Sequence, residues 1–196
     1  MKHRIAILAS GDGTNAQNII EYFADHQQIE VALVGTNKPQ AGVLQRARKL
    51  EVETLIFDRA SMSDTDGLLA ELQSRNIDYL VLAGFLLKIP SHLIEAFPER
   101  MINIHPALLP KYGGKGMYGM HVHRAVKENS ESETGITIHL VNEHYDQGAI
   151  LFQAKVALTD DDSPDDIAAK IHELEYQHYP KVIEQVIYNT SQIDHG

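Results

Sequence analysis

The stretch His3-Arg-Ile-Ala-Ile-Leu-Ala-Ser-Gly-Asp-Gly-Thr-Asn15 joins an apolar strand to a glycine-containing turn and the start of a helix. Glycines let the backbone turn tightly and approach a ligand, and the free N–H groups of a helix N-terminus attract anions. We therefore predict a phosphate site at 10–15, beside the plainer alternative of a tight turn capped by Thr14 or Asn15. The third glycine of a dinucleotide fingerprint is missing, which favours a phosphate monoester.

Strand-like and helix-like segments alternate through the rest of the first hundred residues. One predicted helix runs over 63–75, where Ser63-Asp-Thr-Asp66 is suited to N-capping. Two strands, at 134–141 and 149–158, and a long helix beginning near Pro164 follow in the second half. Near-continuous apolar strands between helices predict an α/β, Rossmann-like fold: a mostly parallel sheet with helices on both faces and antiparallel additions in the C-terminal half. Ligands of such sheets bind at the carboxyl ends of the strands.

The composition narrows the classes of function. The 196 residues are 43% hydrophobic and 22% charged, as expected of one globular domain over 1–196. The absence of cysteine excludes disulfides, thiolate metal sites and a cysteine nucleophile. The net charge of −10 argues against nucleic acid as a partner. With no apolar run long enough for a membrane span and no signal-peptide pattern, we expect a cytoplasmic protein.

The stretch Met101-Ile-Asn-Ile-His-Pro-Ala-Leu-Leu-Pro110 places Asn103 and His105 two residues apart at the end of an apolar strand. Alternation along a strand directs both side chains to the same face. An amide donor and an imidazole together suit chemistry on a carbonyl, where one group stabilises an oxyanion and the other moves a proton. Taken singly, a histidine before proline at a strand end has a structural role more often than a catalytic one.

Asp146 lies far along the chain, in Glu143-His-Tyr-Asp-Gln-Gly148. By itself it is typical of a turn aspartate in a hairpin. A carboxylate beside an imidazole would instead hold its tautomer and stabilise its protonated form. We therefore expect Asp146 to lie near His105.

The eleven histidines raise the competing hypothesis of a zinc metallohydrolase. His121 and His123 could join His105 and His139 in a metal site. Positions 121 and 123, however, begin a predicted helix and do not share a face of it. Helix-start packing and capping are the favoured roles of these two histidines, and no metal is predicted.

Four motifs occur in order: Ser10-Gly-Asp-Gly-Thr-Asn15, Leu82-Ala-Gly-Phe85, Asn103-Ile-His-Pro-Ala-Leu-Leu-Pro110, and Gly135 followed by Asp146-x-Gly148. With them the chain resembles the formyltransferase family over almost its whole length. The resemblance implies a phosphate-binding half over 1–100 and a catalytic and folate-binding half over 101–196. Members that act on tRNA carry an extra C-terminal domain, so the short acidic chain and its early loop favour a ribonucleotide acceptor.

The resemblance implies transfer of the formyl group of the co-substrate 10-formyltetrahydrofolate to the amine of glycinamide ribonucleotide, in purine biosynthesis. It assigns catalysis to Asn103, His105 and Asp146, and ribonucleotide binding to Glu175. The implied phosphate-binding residues are Gly11, Gly13, Thr14 and Asn15. The implied folate-binding residues are Leu86, Leu87, Lys88, Ile89, Asn103, Asn142, Glu143, His144, Tyr145 and Asp146.

The expected mechanism is direct attack of the amine on the formyl carbon, because the sequence offers no convincing covalent nucleophile. Asn103 and a protonated His105 would stabilise the oxyanion, and Asp146 would favour that protonated form. Other small amino-sugar or amino-nucleotide acceptors stay open, as does a non-enzymatic nucleotide-binding regulator. Also open are the role of the glycine-rich loop 113–120, a folate contact by Arg59, and the choice between monomer and homodimer.

Overall fold

The computed structural model describes residues 2–193 of the chain. The strands are β1 (His3–Leu8), β2 (Ile29–Thr36), β3 (Glu53–Ile56), β4 (Tyr79–Leu82), β5 (Met101–His105), β6 (Glu133–Leu140) and β7 (Ile150–Ala157). The helices are α1 (Thr14–Phe23), α2 (Gly42–Lys49), α3 (Arg59–Ser63), α4 (Ala70–Ser74), α5 (Ser91–Ala96), α6 (Met120–Glu128) and α7 (Pro164–Ile193), with a π-helical turn at Thr65–Leu69.

The seven strands form one sheet in the order β3-β2-β1-β4-β5-β6-β7. Strands β1 to β5 pair in parallel, and β6 and β7 are antiparallel additions. The predicted fold class is therefore confirmed. The strand order reverses between β1 and β4, which is the kind of switch point where α/β sheets bind ligands.

Alternate side chains of the strands enter two hydrophobic cores, one on each face of the sheet. Ile5 and Ile7 of β1 pack in the core that contains α1, α6 and α7, whereas Ala6 and Leu8 pack in the core beneath α5. Burial on both faces explains why these strands are apolar without alternation.

The 30-residue helix α7 is fixed to the centre of the sheet by Tyr179. This side chain is fully buried, and its hydroxyl donates to the carbonyl oxygens of Leu82 (2.9 Å) and Ile102 (3.1 Å). These acceptors lie on β4 and β5, so one turn of α7 is held against the two central strands. None of the helices within 2–193 combines the length and apolar composition that a membrane crossing needs.

The single helix predicted over 63–75 is wrong. Helix α3 begins earlier, at Arg59, where the side chain of Asp58 accepts a hydrogen bond from the Ser61 N–H at 2.7 Å. The helical path then breaks at Gly67, whose φ of −92° and ψ of −116° are not helical. A Cβ atom at Gly67 would lie 2.0 Å from the Ser61 carbonyl oxygen, so the break depends on glycine at this position.

Candidate active site

A cavity of about 800 Å³ opens at the carboxyl ends of β1, β4 and β5. Every residue predicted to bind or transform a ligand lies on its wall, although the individual roles stay predictions. These residues are Gly11, Gly13, Thr14, Asn15, Leu86, Leu87, Lys88, Ile89, Asn103, His105, Asn142, Glu143, His144, Tyr145, Asp146 and Glu175. Segments as far apart in the chain as Gly11 and Glu175 therefore meet in one cavity.

The first end of the cavity is the backbone of the loop between β1 and α1. Gly13 precedes the helix with a φ of +82°, a conformation that favours glycine, and a Cβ atom there would lie 2.5 Å from the Cβ of Val43. No side chain caps α1, so the expectation that Thr14 or Asn15 caps it is wrong. The uncapped first turn leaves N–H groups available for an anion.

This loop is tied to its neighbours on two sides. The Ser10 hydroxyl donates to Asn37 (2.7 Å) and accepts from the Leu86 N–H (3.1 Å), which joins the loops that follow β1 and β4. Arg46 of α2 donates from Nε to the carbonyl oxygen of Asp12 at 2.9 Å. Lys38, which sequence reasoning had not singled out, adds a cationic side chain to the cavity wall.

Glu175 connects the loop to helix α7. Its carboxylate is 5% exposed and accepts hydrogen bonds from Asn15 Nδ2 at 2.8 Å and His172 Nδ1 at 3.0 Å. The hydrogen bond to Glu175 raises the pKa of His172. The Asn15 amide therefore fixes α7 rather than capping α1.

The second end of the cavity carries Asn103, His105 and Asp146. Asn103 and His105 both reach the cavity from β5, as strand alternation predicts. His105 Nδ1 lies 3.5 Å from Asp146 Oδ2, so the expected neighbourhood of imidazole and carboxylate is present. The Asp146 backbone has a φ of +56°, and its Oδ2 accepts a hydrogen bond from the Gly114 N–H at 2.8 Å.

His139 is the member of this group that sequence reasoning missed, having named it only as a possible zinc ligand. It stands opposite Asn103 in the antiparallel pair β5–β6, and it is 2% exposed. Its Nδ1–H donates to the Leu140 carbonyl (2.8 Å), and its Nε2 forms a hydrogen bond with Asn103 Nδ2 (3.0 Å) and lies 3.6 Å from Asp146 Oδ1. This bond orients the Asn103 amide and leaves its second N–H available.

The hydrogen bonds of His105 fix its tautomer. Nε2 is 2.7 Å from the carbonyl oxygen of Tyr112, which can only accept, so Nε2 carries the proton and Nδ1 of the neutral ring is bare. Burial lowers the pKa of His105, and the charge of Asp146 offsets only part of this effect. The imidazole is therefore neutral in the ligand-free protein, because removal from water outweighs the nearby carboxylate. The imidazolium expected beside the oxyanion stays a prediction.

Asp146 remains an anion in this environment. Burial acts to raise its pKa, but the imidazoles of His139 and His105 and the Gly114 N–H outweigh burial, so the pKa is lowered. A carboxylate held ionised beside a neutral imidazole stabilises any positive charge that the imidazole later acquires.

The glycine-rich loop 113–120 forms part of the cavity wall, and its base is hydrogen-bonded to His105 and Asp146. Tyr112 accepts the His105 hydrogen bond, and Gly114 donates to Asp146. Gly113 lies close to Leu109, since a Cβ atom added at Gly113 would be 2.5 Å from Leu109 Cδ2. Movement of this loop would therefore change the environment of both His105 and Asp146.

The remaining wall of the cavity is more apolar. Leu86 and Tyr145, each 37% exposed, lie on this wall together with Arg59 and Lys88. The segment 142–146 is held by hydrogen bonds from Asn142 Nδ2 to the Gln147 carbonyl (3.0 Å) and from the His144 N–H to Asn142 Oδ1 (2.9 Å). A planar, partly apolar ligand would fit between such walls.

The histidines do not assemble as the zinc alternative requires. His121 is exposed, whereas His123 is buried and lies on the cavity wall. Within the part of the chain that the structure describes, no group of three or more histidine, aspartate or glutamate side chains is arranged to hold a metal ion. The capping role expected of this pair is also wrong, because α6 has no side-chain cap.

A sequence profile of the formyl transferase family matches residues 3–183. The chain belongs to the formyl transferase family. The resemblance inferred from its motifs is thus confirmed.

Several relatives carry the same name. The chain is 39% identical to the chloroplastic phosphoribosylglycinamide formyltransferase of Arabidopsis thaliana over 93% of this chain and 64% of that protein. It is 40% identical to the phosphoribosylglycinamide formyltransferase of Haemophilus influenzae over 92% of this chain and 85% of that protein. The crystal structure of phosphoribosylglycinamide formyltransferase from Bacillus halodurans superposes with a TM-score of 0.84 at 33% identity, covering 94% of this chain and 95% of that one. The chain spans less than two thirds of the length of the plant relatives.

Proposed function

We propose that this protein transfers the formyl group of 10-formyltetrahydrofolate to the amine of glycinamide ribonucleotide. The observation that carries the proposal is the continuity of one cavity, which joins an uncapped helix N-terminus to the Asn103, His105 and Asp146 group and to a more apolar wall. A phosphate, a reacting amine and a folate ring would each meet suitable chemistry along that path.

The reaction begins with attack of the neutral amine on the formyl carbon, which forms a C–N bond and a tetrahedral oxyanion. Collapse of this intermediate breaks the bond between the formyl carbon and the folate nitrogen. One proton leaves the attacking amine and one proton arrives on the departing folate nitrogen, so no net proton is gained or lost. Holding both substrates in one cavity makes the attack effectively unimolecular.

Asn103 supports the oxyanion with the amide N–H that His139 does not use. The bare Nδ1 of His105 takes up the amine proton, either directly or through water, and becomes an imidazolium paired with Asp146 at 3.5 Å. The imidazolium then supplies the proton to the folate nitrogen. Neutral His105 in the free protein is therefore the form ready for the first proton transfer.

The substrates occupy opposite ends of the cavity. The ribonucleotide phosphate binds at Gly11, Gly13, Thr14 and Asn15, and Glu175 holds the adjoining part of the acceptor. The pterin of the folate lies against 86–89 and beneath the segment 142–146. Both ligands are small molecules, no resident metal takes part in these steps, and a cytoplasmic setting stays a prediction.

The test is a spectrophotometric transfer assay with a 10-formylfolate donor and glycinamide ribonucleotide. Wild type should show transfer that a chelator does not change, and His105→Ala should lose most of it. Transfer to a different amino-sugar or amino-nucleotide, with none to glycinamide ribonucleotide, would overturn the acceptor assignment. Chelator-sensitive transfer together with bound zinc would overturn the mechanism.

A further inference from the structure

Two buried polar atoms on the cavity wall lack a hydrogen-bond partner. Among the described residues, the buried side-chain atoms without a partner are Asn15 Oδ1, His123 Nδ1 and His92 Nε2, and only His92 lies away from the cavity. Buried polar atoms are nearly always hydrogen-bonded, because leaving them unpaired costs free energy. A ligand that enters the cavity can complete the hydrogen bonding of Asn15 and His123.

His123 is not explained by the proposed chemistry. It projects from the first turns of α6, is 3% exposed and lies on the cavity wall. Burial lowers its pKa, so the ring is neutral and offers one donor and one acceptor nitrogen. If packing were its only role, an apolar side chain of similar size would serve better.

Glu175 locates His123 within the cavity. Glu175 is hydrogen-bonded to Asn15, at the end of residues 10–15, the proposed phosphate loop. The charge of Glu175 acts on both His123 and His105. His123 therefore shares with Glu175 the stretch of cavity wall that includes the phosphate loop and His105. In an acceptor with a phosphate at one end and an amine at the other, the part that spans this stretch is the ribose.

We infer that His123 is a further substrate-binding residue, whose unpartnered Nδ1 forms a hydrogen bond with a ribose hydroxyl of the acceptor. Asn15 Oδ1 and the Glu175 carboxylate accept from the same sugar. The inference rests on the proposed function, since it assumes a phosphorylated ribose in this end of the cavity. It makes His123 a determinant of acceptor affinity and of the preference for ribose over deoxyribose.

The test compares His123→Leu, which removes both ring nitrogens, with His123→Asn, which keeps a polar atom near the position of Nδ1. His121→Leu, on the exposed side of the same helix, is the matched control. Loss of one hydrogen bond to a neutral group should raise the KM for glycinamide ribonucleotide about 10-fold in His123→Leu. We expect a smaller rise in His123→Asn, little change in kcat or in the KM for folate, and no loss of thermal stability.

A binding experiment separates this inference from the proposed function. Ribose 5-phosphate and its 2-deoxy and 3-deoxy analogues are titrated into the ligand-free wild type and into His123→Leu by calorimetry. Wild type should bind the ribose form about 10-fold more tightly than at least one analogue, and His123→Leu should lose that preference. An unchanged preference, or an unchanged KM, in His123→Leu overturns the inference. If wild type fails to transfer a formyl group and yet prefers ribose 5-phosphate, and that preference is lost in His123→Leu, only the proposed function is overturned.

Discussion

The two ends of the cavity are built in different ways. The phosphate end is one continuous loop, 10–15, which presents backbone N–H groups at the uncapped start of α1. The catalytic end is assembled from side chains on β5, on β6 and on the loop that contains Asp146. The first end depends on backbone conformation, and the second depends on contacts between distant segments.

This difference determines how a substitution affects each end of the cavity. At the phosphate end, a substitution acts by forcing the backbone to move, so fold stability and phosphate affinity change together. At the catalytic end, a substitution can remove the charge of Asp146 or the proton-accepting nitrogen of His105 without moving the backbone. We therefore expect the two ends to be separable by substitution.

The largest effect is expected for Asp146→Asn, which removes the charge that stabilises the His105 imidazolium. Loss of this support for proton transfer should reduce kcat on the order of 10³-fold. Affinity for ribose 5-phosphate, measured by calorimetry, should stay within a few-fold of wild type. Asp161→Asn, an exposed carboxylate, is the control. Normal turnover by Asp146→Asn would show that the catalytic end does not depend on this charge.

The next effect is expected for Gly13→Ala at the phosphate end. The positive φ and the 2.5 Å approach to Val43 Cβ should lower the free energy of unfolding by roughly 2 kcal/mol, as measured by urea denaturation. The affinity for ribose 5-phosphate should fall with it. Gly11→Ala, where an added Cβ meets nothing within 4 Å, should change stability by less than about 0.5 kcal/mol. Equal stability of the two variants would mean that Gly13 is not needed for the loop conformation.

A smaller effect is expected for Arg46→Ala, which removes the hydrogen bonds that hold one side of the phosphate loop. Arg46 donates to the Asp12 carbonyl and, at 2.6 Å, to Gln17 Oε1, but its side chain is 33% exposed. Because exposed polar contacts contribute little, the loss in unfolding free energy should be about 1 kcal/mol or less. Arg48→Ala, exposed on the same helix, should have no measurable effect. A reduction in kcat larger than the rise in acceptor KM would contradict the separation of the two ends.

The subtlest effect concerns the titration of His105, followed by NMR of its ring carbon-bound protons. Burial should place its pKa below 6.5 in wild type, and removal of the Asp146 charge should place it lower still in Asp146→Asn. Since the neutral ring is the starting form, wild-type activity should fall as the pH drops through this pKa. A wild-type pKa above 6.5 would show that burial is not the dominant influence. An increase in Asp146→Asn would show that the Asp146 charge does not raise the pKa of His105.

Features that depend on nearby residues could be predicted from the sequence. The strand–glycine–helix pattern at 3–15 and the two-residue spacing of Asn103 and His105 both follow from local backbone geometry. The break at Gly67 had a local signal too, a glycine within a helical stretch, which the prediction of one helix over 63–75 overlooked. The formyl transferase family was likewise identifiable from four motifs in order.

Other features required the pairing of distant segments. His139 contacts Asn103 only because β5 and β6 pair in one register. That register cannot be predicted from the sequence of either strand alone. Asn15 bonds to Glu175 rather than to its own helix because α7 passes beside the loop. His123 was assigned to packing and capping because its position on the cavity wall is a property of the assembled fold.

By itself, the sequence determined the strand–helix alternation, the conformation available to the glycine loop and the common face of Asn103 and His105, since each follows from neighbouring residues. Tertiary structure alone decided that His105 is neutral beside an ionised Asp146. Protonation depends on how much water is excluded and which charges lie within a few ångströms, and both are set by segments far apart in the chain.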